Sequence, residues 1–262
     1  MQEIIIATFV VGVVGLLIGA ALVAAGKKFY VEADEREAAV RASLPGNNCG
    51  GCGYAGCDAV AAAIVNGEAE ITVCPVCSSQ AVEEIGAIMG VDAGETLRRV
   101  ALVKCAGTCD KTSPKCSYTG IRDCRAAVLS GLSLWECDYG CLGFGSCVEA
   151  CAFDAIRVKD GVAFADPEKC TGCGRCAAVC PKQLIELVPA DQKLAVRCSN
   201  RDRGPEVKKV CSAGCLGCRI CEKQCEHGAI LVENNLARID GALCTGCGTC
   251  MEKCPVHVIS GI

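Results

Sequence analysis

The chain has 262 residues, of which 27 are cysteine, and its 26 basic and 30 acidic residues give a net charge of −4. A cysteine content this high indicates a disulfide scaffold only in a short secreted chain, and this chain is too long for that class. The slightly acidic balance leaves no basic surplus for nucleic-acid binding, and a charged fraction of 21% argues against disorder.

The chain begins with an apolar stretch. Residues 4–26 carry no charge, and about 20 apolar residues suffice to span a bilayer as a helix. Two lysines follow the stretch, so the positive-inside rule places them and the rest of the chain in the cytoplasm. A cleaved signal peptide, the alternative, would need a basic leader and a shorter apolar core. We predict a single-pass transmembrane anchor over residues 1–28, in contact with membrane lipid, and a charged linker or short helix over 29–43.

This orientation bears on the role of the cysteines. Thiols stay reduced in the cytoplasm, so clustered cysteines there indicate metal ligands rather than disulfides. The odd total also fits a disulfide framework poorly.

The first cysteine module is predicted over residues 44–92. Its glycine-rich loop LPGNNCGGCGYAGC contains Cys49, Cys52 and Cys57, and Cys74 follows before a proline. Glycines let a backbone wrap closely around an inorganic cluster and donate N–H groups to it. Structural zinc is the alternative, but zinc ribbons usually separate two CxxC pairs, whereas three ligands share one loop here. The pattern favours a [4Fe–4S] cluster, and two short helices are expected, at 58–66 and 81–90.

The second half of the chain repeats itself with a period of 74 residues. The first copy contains Cys124, Cys137, Cys141, Cys147, Cys151, Cys170, Cys173, Cys176 and Cys180, and each recurs 74 positions later as Cys198, Cys211, Cys215, Cys221, Cys225, Cys244, Cys247, Cys250 and Cys254. Such a repeat determines the architecture.

Each copy ends in a CxxCxxCxxxCP run, the bacterial ferredoxin signature. We therefore predict two ferredoxin-like domains, over 137–190 and 191–262, after a cysteine-containing connecting segment over 93–136. A strand hairpin is expected in each domain, from 156–158 with 162–164 and from 230–232 with 236–239.

In two-cluster ferredoxins the fourth cysteine of each run binds the other cluster. One predicted site takes Cys151, Cys170, Cys173 and Cys176, another takes Cys225, Cys244, Cys247 and Cys250, and a third takes Cys215, Cys218, Cys221 and Cys254. The fourth site is one ligand short, because Phe144 stands where Cys218 stands in the other copy. It has Cys141, Cys147 and Cys180, and we expect Cys137, a short turn upstream, to complete it. The alternative is a three-ligand site with a labile iron or a [3Fe–4S] centre.

With the module, these predictions give at least five [4Fe–4S] clusters and leave seven cysteines over. Cys105, Cys109, Cys124, Cys198 and Cys211 are candidates for a sixth cluster, one combination being Cys105, Cys109 and Cys124 with one more. Alternatively these are small buried hydrophobic residues, as free cysteine often is. Cys77 and Cys116 are unassigned.

Iron–sulfur clusters carry single electrons, and several on one chain indicate a relay. The sequence shows no nucleophile–base pair and no Walker A or HExxH pattern. Gly143-Phe144-Gly145 is followed by Val148, so the dinucleotide fingerprint fails. We therefore predict an electron carrier without catalytic residues or an NAD site of its own. The predicted fold is α+β, with one N-terminal transmembrane helix, a small helical 4Fe-4S module and tandem two-cluster ferredoxin-like domains.

The apolar N-terminus, the LPGNNCGGCGYAGC module and the tandem repeats together resemble the B subunit of the Rnf complex, a membrane-bound, ion-translocating ferredoxin:NAD+ oxidoreductase. The resemblance covers essentially the whole chain. It implies that the chain accepts electrons from soluble reduced ferredoxin and passes them to other subunits, which bind NAD and flavins and move Na+ or H+ across the cell membrane. A polyferredoxin subunit of another membrane redox complex, such as a hydrogenase, and a zinc-binding interaction scaffold are the alternatives.

Overall fold

The computed structural model describes residues 2–28, 34–94 and 97–262. Its first element is a helix, α1 (Gln2–Lys28), which contains the uncharged stretch of residues 4–26. Among the described residues, however, no helix reaches the combined length and apolarity that a bilayer crossing demands. That finding contradicts the predicted transmembrane helix and the single-pass topology drawn from it.

Three helices form a small module that follows. They are α2 (Glu35–Ser43), α3 (Cys57–Val65) and α4 (Ser79–Met89). The two helices predicted for the cysteine module are confirmed to within two residues at each end. The charged segment that was expected to precede the module is helical from Glu35 onwards, and as α2 it is part of the module.

The module has its own hydrophobic core. Val40 of α2, Ile64 of α3 and Ile85 of α4 are buried against one another. The start of α4 follows from its sequence, because the Ser78 hydroxyl accepts the N–H of Ala81 at 3.2 Å. Serine is a favoured N-cap for this reason.

The first repeat, which we define as residues 97–190, contains four strands and three short helices. In chain order they are β1 (Arg99–Val103), α5 (Cys124–Leu129), α6 (Ser146–Glu149), β2 (Ile156–Lys159), β3 (Val162–Ala165), α7 (Arg175–Val179) and β4 (Ile185–Pro189). The antiparallel pairs are β1 with β4 and β2 with β3. The predicted hairpin is confirmed, and the segment expected only to connect two modules supplies β1.

The second repeat, residues 191–262, has the same plan. Its elements are β5 (Leu194–Val196), α8 (Gly204–Val210), α9 (Ile220–Lys223), β6 (Ile230–Glu233), β7 (Leu236–Ile239), α10 (Thr249–Glu252) and β8 (Ile259–Gly261). Here β5 pairs with β8 and β6 pairs with β7, both antiparallel, which confirms the second predicted hairpin. Each repeat is thus two small two-stranded sheets, with short helices that begin beside the cysteines.

Strand pairing identifies the equivalent positions of the two repeats. The last residue of β1 pairs with the first residue of β4, and the last residue of β5 pairs with the first residue of β8. Cys105 lies two residues after the end of β1, and Cys198 lies two residues after the end of β5. The two cysteines are therefore structurally equivalent. Matching Cys124 with Cys198 by the period of 74 therefore does not reflect the fold.

The mismatch arises from an insertion. Cys105 and Cys137 are 32 positions apart, whereas Cys198 and Cys211 are 13 apart, so the first repeat holds 19 additional residues. This insertion contains Cys124 and α5.

Candidate metal centres

All 27 cysteines of the chain are free thiols. In the part of the chain that the structure describes, no three His, Cys, Asp or Glu side chains are grouped as the ligands of a single metal ion. The cysteines lie instead in wider groups.

The module site lies in the glycine-rich loop and at the start of α3. Its predicted ligands are Cys49, Cys52, Cys57 and Cys74, all half-buried. The loop is fixed by Asn48, whose side-chain oxygen accepts the backbone N–H of Cys57 at 2.8 Å. Cys52, Cys57 and Cys74 pack against the module's hydrophobic core.

A fifth thiol stands beside this group. Cys77 hydrogen-bonds the sulfur of Cys74, and this contact lowers the pKa of Cys74 to about 6. The same contact, with burial, raises the pKa of Cys77, and the charges of Cys74 and Cys57 add to the effect. Cys77 therefore belongs to the surroundings of the module site, which its position in the sequence did not indicate.

The four cysteines predicted for the outer site of the first repeat lie close together. Burial raises the pKa of Cys176 to about 12, and the neighbouring thiolates that add to the shift are Cys170, Cys173 and Cys151. The sulfur of Cys170 accepts the backbone N–H of Ala101 at 3.3 Å, which ties the site to β1. Cys151, Cys170 and Cys173 are therefore near neighbours of Cys176 in α7.

The inner site of the first repeat differs from the prediction. One cavity is lined by four cysteines, Cys124, Cys141, Cys147 and Cys180. Burial raises the pKa of Cys147 to about 12, and the charges of Cys141, Cys124 and Cys180 raise it further. The expectation that Cys137 completes this group is corrected, since Cys137 lines a different cavity.

The insertion explains why Cys124 is the fourth thiol. The backbone N–H of Cys124 donates to the Ser146 hydroxyl at 2.8 Å, and that hydroxyl donates to Asp123 at 2.7 Å. The start of α5 is thereby attached to the start of α6, which carries Cys147. Phe144, which replaces the expected cysteine, packs on Tyr118 of the same insertion, with ring centroids 5.4 Å apart.

In the second repeat the cysteines predicted for the two sites lie in two groups. The inner site is a cavity lined by Cys215, Cys218, Cys221 and Cys254. At the outer site, burial raises the pKa of Cys250, and the charges of Cys244 and Cys247 add to it. Cys225, the fourth predicted ligand there, packs in the same core cluster as Cys250.

The remaining cysteines divide into two kinds. Cys109 and Cys116 are exposed. Cys105, Cys137, Cys198 and Cys211 are buried around one cavity between the two repeats. The combination of Cys105 with Cys109 and Cys124 considered from the sequence is not brought together.

The donor sets fit iron–sulfur clusters. Groups of four thiols in loops, several of them buried and some with backbone N–H groups directed at sulfur, are the surroundings in which [4Fe–4S] clusters are held. Gly51 shows how tightly the loops approach, because a Cβ at this position would lie 2.6 Å from the carbonyl oxygen of Cys173. The module site and the outer site of the first repeat therefore have loops in direct contact.

Comparison with known proteins gives a consistent result. A family model for a putative Fe-S cluster matches residues 44–76, and one for a 4Fe-4S binding domain matches 163–186 and 237–260. Three relatives are B subunits of ion-translocating oxidoreductase complexes. The chain is 45% identical to that of the Na(+)-translocating ferredoxin:NAD(+) oxidoreductase complex of Acetobacterium woodii, across all of this chain and 79% of that protein. It is 40% identical to that of the proton-translocating ferredoxin:NAD(+) oxidoreductase complex of Clostridium ljungdahlii, across all of this chain and 94% of the relative. It is 39% identical to the B subunit of the ion-translocating oxidoreductase complex of Methanosarcina acetivorans, across 94% of this chain and 93% of the relative.

Proposed function

Because this chain belongs to the B-subunit family of ion-translocating (Rnf-type) oxidoreductase complexes, we propose that it accepts electrons from reduced soluble ferredoxin and relays them to the other subunits. The chain is an iron–sulfur electron-transfer subunit with several [4Fe–4S] clusters. We assign the clusters to the module site and to the inner and outer sites of both repeats. In this assignment Cys124 replaces Cys137.

The observation that carries the proposal is that neighbouring cysteine groups adjoin one another. The Gly51 loop of the module contacts Cys173 of the outer site. Within the first repeat, the charge of Cys176 of the outer site contributes to the raised pKa of Cys147 of the inner site. A protein that only stored or sensed iron would need no such succession, whereas an electron relay does.

The chain's own residues supply binding and tuning. The thiolates would hold the iron, and the clusters would supply one-electron chemistry with potentials set by charge, exposure and hydrogen bonds to sulfur. Ala101, for example, directs its N–H at Cys170 over 3.3 Å. Burial of Cys170 and Cys176 limits the contact of the outer site with water.

The proposal also covers the partners of the chain and its association with a membrane complex. Ion translocation requires a membrane, so the complexes named for the relatives are membrane-associated, and we place this chain in such a complex. The sequence around Gly143 lacks the dinucleotide fingerprint. We therefore assign NAD and flavin binding to other subunits, and soluble ferredoxin to this one.

Stopped-flow mixing of the anaerobically purified full chain with reduced ferredoxin tests this function. We expect the visible absorbance of the oxidised clusters to fall within the mixing experiment, while NADH alone leaves it unchanged. A chain that NADH bleaches rapidly, or that reduced ferredoxin does not reduce although dithionite does, would contradict the proposed role.

A further inference from the structure

The cavity between the two repeats has an unusual lining. Four of the cysteines that line it, Cys105, Cys137, Cys198 and Cys211, are each between 7% and 9% exposed, and the fifth, Cys141, belongs to the inner site of the first repeat. None of these four lies within the matched segments 44–76, 163–186 and 237–260. The five sites proposed above use none of them either. Four thiols buried together therefore have no assigned role.

These cysteines occupy two pairs of equivalent positions. Cys105 lies two residues after β1, which pairs with β4, and Cys198 lies two residues after β5, which pairs with β8. Cys137 and Cys211 are related by the period of 74. Each repeat thus contributes the same two positions, which scattered buried cysteines would not be expected to do.

Polar groups are directed at the sulfurs. Cys141 donates its backbone N–H to Cys105 at 3.4 Å, and its equivalent in the second repeat, Cys215, donates to Cys198 at 3.3 Å. Asn200, which is only 1% exposed, donates its side-chain amide to Cys137 at 3.7 Å. Its backbone N–H also donates to the sulfur of Cys198 at 3.4 Å. N–H groups in this arrangement stabilise negative charge on sulfur, as cluster ligands require.

Gly107 has no side chain to fill the space beside the sulfurs of Cys105 and Cys211. A Cβ at this position would lie 3.3 Å from the sulfur of Cys211 and 3.7 Å from that of Cys105. The two sulfurs, one from each repeat, are therefore both in reach of one point, and any side chain there would enter the space between them.

We propose that Cys105, Cys137, Cys198 and Cys211 hold a sixth [4Fe–4S] cluster, which bridges the two repeats. We call this group the bridging site. It deepens the proposed function and rests on it, because it places a redox centre where the chain passes from one repeat to the other. Burial raises the pKa of Cys105, and the charges of Cys137 and Cys211 add to the shift, as expected for thiols that share one position.

The location of the bridging site gives it two neighbours. Cys141, which donates to Cys105, is a ligand of the first inner site, and Cys215, which donates to Cys198, is a ligand of the second. One N–H···S contact therefore separates the bridging site from the inner site on either side. Of the six proposed sites, the bridging site alone takes cysteines from both repeats.

The inner site of the second repeat does not need Cys198, which leaves this thiol for the bridging site. In the first repeat the inner site recruits Cys124 because Phe144 provides no thiol. In the second repeat Cys218 stands in the place of Phe144 and lines the inner cavity, so that site is complete without Cys198.

The test compares the full chain with Cys211→Ser and with Cys109→Ser, a matched control whose thiol is exposed. Anaerobically purified wild type should contain about 24 iron atoms and as much sulfide, four of each per site. We expect Cys211→Ser to lose about four of each and to keep the rest, or to show a new three-iron EPR signal. Cys109→Ser should match the wild type.

Asn200→Asp provides a second readout that does not require loss of the cluster. It removes the amide donor to Cys137 and brings a negative charge, so the midpoint potential of one EPR signal should fall while iron content stays constant. Unchanged potentials for every signal would overturn the assignment, even if Cys211→Ser failed to fold.

The outcomes separate the two proposals. About 20 iron atoms in the wild type, with no change in Cys211→Ser, would overturn the bridging cluster and leave the five others intact. A zinc ion lost in Cys211→Ser would likewise overturn it, as would loss caused equally by Cys109→Ser. Wild-type protein with neither iron nor sulfide would overturn the proposed function itself.

Discussion

At the scale of single residues, the first inner site depends on an exchange between two positions. Phe144 removes the thiol that the ferredoxin spacing leads one to expect, and Cys124 supplies a thiol from the insertion. The two are coupled through packing, because Phe144 and Cys124 border the same small cluster of apolar side chains. Phe144, which interrupts the cysteine pattern, thus also packs against the insertion that supplies Cys124.

This exchange predicts a loss and a rescue. Cys124→Ser should remove about four iron atoms or leave a three-iron centre with its own EPR signal, because only three thiols remain at the site. Adding Phe144→Cys should restore the iron content, since a thiol then occupies the place that Cys218 has in the second repeat. Iron and sulfide analysis with EPR measures both.

Cys116→Ser is the matched control, because Cys116 lies in the same insertion and is exposed. It should leave the iron content unchanged. If Cys124→Ser also retained all its iron, Cys124 would not be a ligand. If the double variant lost as much iron as the single variant, the equivalence of Phe144 and Cys218 would be wrong.

At the scale of elements, the attachment of α5 to α6 positions Cys124. The Ser146 hydroxyl accepts the N–H of Cys124 at 2.8 Å and donates to Asp123, the N-cap of α5, at 2.7 Å. One hydroxyl therefore joins the starts of two short helices, and each of these helices carries a cysteine of the site in its first two residues.

We predict that Ser146→Ala lowers the free energy of unfolding by about 1–3 kcal/mol, because it removes two hydrogen bonds that usually contribute about 0.5–1.5 kcal/mol each. It should also speed the loss of one cluster to a chelator, because Cys124 is held less firmly, while the initial iron content stays unchanged. Chemical denaturation and the rate of iron release measure the two effects.

The control is Ser130→Ala at the other end of α5, where the hydroxyl donates to the carbonyl of Ala127 at 2.7 Å. It removes a hydrogen bond of the same kind from the same helix and should not alter iron release. Equal acceleration in both variants would mean that general loosening of α5, and not the attachment to α6, controls the site.

Sequence patterns predicted local features well in this protein. The short strands expected between the two cysteine runs of each repeat are present as hairpins β2–β3 and β6–β7, and the ferredoxin spacing predicted which cysteines lie together around Cys176 and Cys221. These features depend on residues close in sequence or on a spacing with a narrow set of geometries.

Groupings that depend on tertiary pairing could not be predicted in this way. The equivalence of Cys105 and Cys198 follows from the pairing of β1 with β4 and of β5 with β8, which no spacing shows. The insertion shifted the register so that Cys124 matched Cys198 by chance. The apolar stretch predicted the helix α1, but the membrane crossing inferred from its composition is contradicted.

At the scale of the whole molecule, the helical module meets the first repeat through one close contact of loops. A Cβ at Gly51 would lie 2.6 Å from the carbonyl oxygen and 3.0 Å from the Cβ of Cys173. Real Cβ atoms do not approach a backbone oxygen so closely, so only glycine permits this distance. The contact joins the loops that carry ligands of the module site and of the outer site.

We therefore predict that Gly51→Val separates these loops without removing either cluster. Iron content should stay the same, because all the thiols remain. The free energy of unfolding should fall by about 1–3 kcal/mol, as overpacking usually costs. Electron equilibration between the module and the first repeat should slow, because the two loops can no longer touch. Denaturant titration, iron analysis and the phases of stopped-flow reduction by ferredoxin measure the three quantities.

Ala55→Val is the control for added bulk, since Ala55 lies in the same loop and is exposed. It should resemble the wild type in all three measurements. Loss of iron in Gly51→Val would mean that the glycine serves the module site alone. Unchanged reduction phases, with stability lowered, would mean that electrons do not pass through this contact, and the module site would then stand outside the relay formed by the two repeats.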